Sequence, residues 1–171
     1  MSFLLVSRAV LGDFLTRVDA AFARPGRLYL IGETTQVYEG WRRWTPQIEL
    51  CATLAPDDRP AFNQAVAQAS DDLGVHVLDE APGDLIPLPE GFEDRHRLIL
   101  SNGVRYLSLF HFDPCSVAFR FIARGDEPDY HLVLAYLDHG WLTMDEMDDR
   151  LARLLPRFSM DTIAQDPAEF R

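Results

Sequence analysis

The sequence predicts an α/β (α+β) fold: a small mixed sheet flanked by helices, followed by a cluster of helices alone. Three observations carry that prediction. Over roughly the first hundred residues, short apolar runs alternate with segments whose apolar residues recur at helical spacing. Glycine, proline and one Asn-Gly pair mark the ends of these runs. Beyond residue 112 the strand-like runs stop and only helix signals remain, so the second part packs as helices.

The elements follow in order. Residues 7–23 place Ala9, Val10, Phe14, Val18, Ala21 and Phe22 on one helical face, and Pro25-Gly26 ends the helix. Residues 27–31 form a buried strand that stops at Gly32, and residues 34–40 leave room for a short helix. A second strand covers 46–54. A helix follows over 57–73, with Asp57 as N-cap and Gly74 just past its end. Residues 75–78 are a third strand, and the Pro-, Gly- and acid-rich stretch 79–94 crosses the surface. Residues 97–100 and 104–110 flank Ser101-Asn102-Gly103, a strong hairpin signal. Then come three helices. One covers 116–124 behind Asp113-Pro114, one covers 128–139 and ends at Gly140, and one covers 144–155 behind a Thr143/Glu146 capping box. Residues 156–171 are expected to form a short helix and loop. The 171 residues are expected to make one domain, with a core over 1–112 and helices over 113–171 packed on it.

Charge and residue usage exclude several functions. The net charge is −11, from 27 acidic and 16 basic residues, so non-specific binding to a phosphate backbone is not expected. Every basic residue is arginine; the chain contains no lysine. A P-loop lysine, a Schiff-base lysine and a lysine general base are thereby excluded, whereas arginine clamps on phosphate or carboxylate are not. Cys51 and Cys115 are too few and too far apart for a disulfide framework or a CxxC metal site, and both are expected to be packed thiols. The apolar start, residues 1–6, is interrupted by Arg8 and Asp13. It predicts neither a signal peptide nor a membrane span, and the expected location is the cytoplasm.

One constellation carries a functional signal. A buried strand ends in Gly32-Glu33-Thr34-Thr35 at the start of a helix, and the next strand carries Gln47-Ile48-Glu49-Leu50. Glycine permits a tight turn, and helix-start amides can face a phosphate. Side chains two apart on a strand share a face, so acids at both positions would hold a divalent cation between them. Beside it lies Trp41-Arg42-Arg43-Trp44. That cluster can stack a base and hold a phosphate, anchor a partner protein or a second copy, or merely close the sheet edge.

These residues resemble the small bacterial nucleotidyltransferase-like proteins, relatives of the minimal nucleotidyltransferases and of abortive-infection toxin–antitoxin components. Their signature is an apolar strand, Gly-Gly or Gly-Ser, a short helix, then Asp-apolar-Asp on the next strand. The resemblance extends to Ala81-Pro82, Ile86-Pro87-Leu88-Pro89, Arg95, His111-Phe112-Asp113-Pro114, Ala118 and Arg124-Gly125, covering roughly residues 25–155. It implies nucleotide binding through Gly32, Glu33, Thr34, Thr35, Gln47 and Glu49, with Glu49 as a metal ligand and magnesium with a nucleoside triphosphate as cofactor; Arg42 and Arg43 of the neighbouring cluster are the further candidates for holding the phosphate.

The departures fall on the chemistry. Glu33 stands where the family has glycine or serine, and its charge repels a phosphate. Gln47 replaces the first carboxylate, and Phe121 occupies a position where such relatives often carry lysine. Asp79 is the nearest candidate for a third carboxylate. Two readings follow from the resemblance: an active nucleotidyltransferase that uses Glu33 and Glu49 on a protein or RNA, or a binding module whose metal site has decayed. The sequence favours the second. His111 and Asp113 form either a metal or acid–base pair or a helix-capping pair. His76 is either a cleft residue near Glu49 or a half-buried structural histidine. The acids of 145–149 suit the start of a helix as a solvated face.

Overall fold

The computed structural model describes residues 2–84 and 86–157. Its fold is mixed α/β, with six α-helices, seven strands and two sheets among the described residues. The chain forms two compact units. One comprises the residues up to Glu80 together with Leu98–His111, the other Ala81–Arg97 together with the residues from 112 onward. No helix among the described residues is long and apolar enough to cross a membrane.

The first unit begins with β1 (Val6–Ser7) and α1 (Arg8–Phe22). The Ser7 hydroxyl caps α1 by accepting the Val10 N–H at 3.3 Å, and Ala23 closes it in a left-handed conformation, φ 50°. Then come β2 (Gly26–Leu30), α2 (Glu33–Glu39), β3 (Trp44–Thr45), β4 (Ile48–Thr53), α3 (Arg59–Leu73) and β5 (Val77–Asp79). The remaining strands are β6 (Arg97–Ile99) and β7 (Leu107–His111). Strand order in the larger sheet is β5-β4-β2-β7-β6; β2 runs antiparallel to β4 and parallel to β7, and β4 runs parallel to β5. The small sheet pairs β1 with β3.

Strand side chains alternate between faces. Leu28, Leu30, Ile48, Leu50, Leu107 and Leu109 therefore share one face, in a register that sets Leu30 beside Leu50 and Leu28 beside Leu109. They form one buried cluster with Leu11, Phe14 and Val18 of α1 and Phe62, Ala65 and Ala69 of α3. Burial of each large apolar side chain contributes about 1.5–3 kcal/mol. This face fixes the register, because a one-residue slip would turn the whole leucine set over.

Several boundaries differ from the sequence reading: β1 and β3 are short strands it did not include, β5 begins at Val77 rather than 75, and the start of α3 and the 97–110 hairpin also shift. A 3-10 turn over Pro56–Asp58 precedes α3, and Asp58, not Asp57, stands at the N-cap, with its carboxylate on Arg24 at 2.7 Å rather than on a helix amide. The hairpin connection is wider than the predicted turn over 101–103, since β6 ends at Ile99 and β7 begins at Leu107. Asp19 is the cause. Its carboxylate, 2% exposed on α1, accepts the backbone N–H groups of Arg105, Tyr106 and Leu107 at 2.8, 2.9 and 2.8 Å. Residues 105–106 turn their amides to this acid rather than extend the strand. Gly103 also approaches α1 so closely that an added Cβ would lie 2.7 Å from the Thr16 hydroxyl, so the glycine serves this close contact.

In the second unit, 3-10 turns at Pro82–Asp84 and Phe92–Arg95 punctuate the proline-rich stretch. The helices are α4 (Pro114–Arg124), α5 (Glu127–Asp138) and α6 (Met144–Leu154). Asp113, 1% exposed, caps α4. Its carboxylate accepts the N–H groups of Cys115 and Ser116, the Ser116 hydroxyl at 2.8 Å, and Arg95 at 3.1 and 3.0 Å. Arg124 grips Asp129 of α5 with two bonds of 2.7 and 2.6 Å, the bidentate fork that arginine offers a carboxylate. The Thr143/Glu146 capping box opens α6 as the sequence predicts. A 3-10 turn occupies Leu155–Arg157, and the remainder of the predicted tail lies outside the described residues.

Both cysteines are buried thiols, and neither forms a disulfide. Burial, then the nearby Asp113 charge, pushes the Cys115 thiol from its ordinary 9.0 to about 11, against partial opposition from Arg150 and Arg95. The fold thus favours the protonated thiol. That contribution is full below about pH 9 and fades as pH rises toward 11.

Two outcomes follow. Asp19→Asn offers one acceptor oxygen to three amides and turns an NH2 toward them. It should cost about 2–4 kcal/mol in urea denaturation, and a loss below about 0.5 kcal/mol would contradict the role assigned to Asp19. With Cys51 replaced by alanine, Cys115 should resist DTNB at pH 8 until urea unfolds the chain; immediate native-state labelling would contradict its burial.

Candidate functional site

The site is built on the turn between β2 and α2. Gly32 adopts φ 62° and ψ −127°, a conformation nearly closed to residues with a Cβ. The chain passes through it directly into α2, whose first residues lie against β4. Thr34, fully buried, accepts the Glu49 N–H on its hydroxyl at 2.8 Å. One hydrogen bond thereby fixes the start of α2 to the strand that carries Glu49. α2 has only seven residues, and the first of them is the acid Glu33.

Glu33 is held from two sides. Arg42 Nη1 lies 2.8 Å from its Oε1, and the Thr45 hydroxyl donates to its Oε2 at 2.7 Å. The Thr45 hydroxyl has one proton and a second acceptor, the Gln47 carbonyl at 3.1 Å. The shorter contact to the charged oxygen takes the larger share of that proton. Arg42 is partly exposed, so its ion pair contributes stability of at most about 1 kcal/mol. Its consequence is chemical, because the Glu33 charge already has a partner.

Gln47 precedes β4 and does not lie within it, yet its side chain meets Glu49 as the spacing predicts. Gln47 Nε2 donates to Glu49 Oε1 at 3.1 Å. Thus the amide presents its N–H to the carboxylate rather than its carbonyl lone pairs to a cation. Asp79 does not complete a set. Its register partner is Leu50, one residue beyond Glu49, which assigns it to the opposite face, and it lies 3.7 Å from Arg59. Among the described residues no three His, Cys, Asp or Glu side chains are grouped to hold a metal ion. The motif donors do not fit a hard divalent cation. One carboxylate is spoken for by arginine and a hydroxyl, and the other faces an amide N–H where a second acid would be needed.

Thr35 and His111 have structural partners. The Thr35 hydroxyl, 1% exposed, donates to the Leu30 carbonyl at 3.3 Å and lies 2.9 Å from His111 Nδ1. His111 Nε2 lies 2.8 Å from Glu39 Oε1. The row Thr35–His111–Glu39 has the connectivity of a nucleophilic triad, but its hydroxyl is buried and serves as an anchor. Of the two readings of His111 and Asp113, capping holds for Asp113, which takes Arg95 and the start of α4 as expected, while His111 joins Thr35 and Glu39 instead of the helix start. His76 precedes β5, is exposed, and places its ring 5.2 Å from that of Phe3. Arg43 lies 5.4 Å over the ring of Trp44, which is 47% exposed and belongs to β3.

The structure therefore gathers Gly32, Glu33, Thr34, Arg42, Gln47 and Glu49 around one turn of the first unit, with Arg43 and Trp44 on the adjoining β3 segment. Sequence reasoning missed Thr45 and Glu39. No local pattern marks either one, since Glu39 and His111 are 72 positions apart. Fold and site together define a mixed α/β chain whose strand–glycine–helix turn faces an acid-bearing antiparallel strand. No protein-family model matches the chain, and no curated protein or solved structure is significantly similar to it.

If Thr34 fixes α2 to β4, Thr34→Val should leave the Glu49 N–H without its acceptor and cost about 1–3 kcal/mol. Amide exchange at Glu49 should accelerate together with that of α2. Unchanged exchange at Glu49 would show that the bond does not hold the two elements.

Proposed function

We propose that this chain is a non-catalytic binding module on a nucleotidyltransferase-like core, acting in a toxin–antitoxin or defence setting implied by the sequence resemblance. The observation that carries the reading is the 3.1 Å hydrogen bond from Gln47 Nε2 to Glu49 Oε1. In the signature, two carboxylates share that face and hold the metal that stabilises charge in nucleotidyl transfer. Here an amide donor occupies an oxygen of the remaining acid, where the signature has a second carboxylate. The order of elements supports the core assignment: an apolar strand, a glycine turn at positive φ, a short helix, then an antiparallel strand bearing Glu49.

Glu33 supports the loss of catalysis independently. In the signature that position is small and uncharged, leaving room for a phosphate. In this chain it carries a carboxylate tied to Arg42 and Thr45. A triphosphate would have to displace Arg42 and then lie against the exposed acid, an arrangement opposed by both repulsion and desolvation. Arg43 on Trp44 remains the part of the turn best suited to contact a partner.

Calorimetric titration with ATP, GTP, CTP and UTP, each with magnesium, tests the reading directly. The expected result is no saturable, magnesium-dependent heat with any of the four. Tight magnesium-dependent binding that disappears in Glu49→Ala would overturn it.

A further inference from the structure

The second unit carries an apolar groove of about 340 Å3 between α4, α5 and α6. Helix α5 makes its outer wall unusual. Every residue from 130 to 137 except His131 is apolar, and a helix that is apolar all round belongs in an interior. One side of α5 is covered: Leu132, Val133 and Tyr136 are buried. The other side, at helical spacing, presents Tyr130 at 46% exposure and Leu134 at 50%, with Leu137 continuing the stripe. Helix α6 faces this stripe with Met144, 59% exposed, then Met147 and Leu151. Methionines at such a position adapt their shape to whatever packs on them.

The charges around the groove select its occupant. Asp148 lines it, and Asp145 stands exposed on the same helix. A second copy of the chain, itself at −11, would bring the same acids against each other. The chain's own residues 158–171 carry Asp161, Asp166 and Glu169 against Arg171, again the wrong sign. We infer that this groove is a docking site for an amphipathic α-helix of a partner protein, with apolar residues at i, i+3, i+4 and i+7 and Lys or Arg along its flanks. Two apolar stripes at helical spacing with a floor between them form the receptor of a helix-in-groove contact, and the aspartates pair with the basic flanks. The inference is independent of the Glu33–Glu49 site, because the groove lies wholly on α4, α5 and α6.

The test uses the full chain and three fluorescein-labelled synthetic peptides of about five helical turns. One has leucines on a single face and lysines on its flanks. The second has the same leucines with glutamates for lysines. The third has the first peptide's composition with the leucine spacing scrambled. Fluorescence anisotropy should show saturable binding of the first, weakened by salt, and at least about tenfold weaker binding of the other two. Leu134→Glu should reduce binding of the first peptide at least about tenfold with the thermal midpoint unchanged, since Leu134 is half exposed. Asp148→Asn should leave the fold intact and flatten the salt dependence. The proposal is overturned if the first peptide fails to bind, or if all three bind alike. It also fails if Leu134→Glu changes nothing, or if sedimentation reveals a dimer that the same substitution dissolves.

Discussion

The backbone of Gly32 is the constraint on which the site depends. At φ 62° and ψ −127° the chain passes from β2 into α2 through Ile31 and Gly32 alone, so the first residues of the helix land on β4. Thr34 and the Glu49 N–H then close the arrangement with one buried hydrogen bond. A residue with a Cβ at position 32 would have to relax the turn, and a longer connection would carry Glu33 and Thr34 off the strand. The geometry that brings acid, hydroxyl and amide together thus rests on one residue having no side chain.

What gathers there is mutually satisfied. Each acid at the turn has a partner of complementary chemistry: Glu33 has Arg42 and Thr45, and Glu49 has Gln47. A metal or phosphate site needs the reverse, charge held close together without compensation until the ligand arrives. The same economy of charge recurs elsewhere in an acid-rich chain. Asp19 gathers three amides, Asp113 gathers five donors, and Asp129 takes both arms of Arg124. Buried carboxylates here organise backbone and helix ends, whereas acids such as Asp145 and Asp148 of α6 are exposed.

Periodicity and caps made most of the architecture legible in the sequence. The apolar spacing from Ala9 to Phe22, the Asp113-Pro114 start of α4 and the Thr143/Glu146 box are all local signals, and each marks its element within a residue or two. The glycine turn and the Gln47–Glu49 neighbourhood were legible because period-two spacing acts over two residues. Long-range recruitment was not. Asp19 reaches across 86 to 88 positions to shape the 105–107 segment, and nothing near Asn102-Gly103 announces it. Glu39 finds His111, and Thr45 finds Glu33, through folding rather than proximity in the chain. The exposed side of α5 was hidden for the opposite reason. A run of apolar residues reads as core until the structure shows which side remains uncovered.

If the acids at the Gly32 turn are satisfied by Arg42, Thr45 and Gln47, they should not hold a divalent cation. Manganese titration followed by amide NMR tests it most directly, because the ion broadens only resonances near where it binds. No selective broadening is expected at Glu33, Gln47 or Glu49 beyond the diffuse effect expected at exposed acids such as Asp145 and Asp148. Saturable broadening centred on those three amides, and abolished by Glu49→Ala, would contradict it.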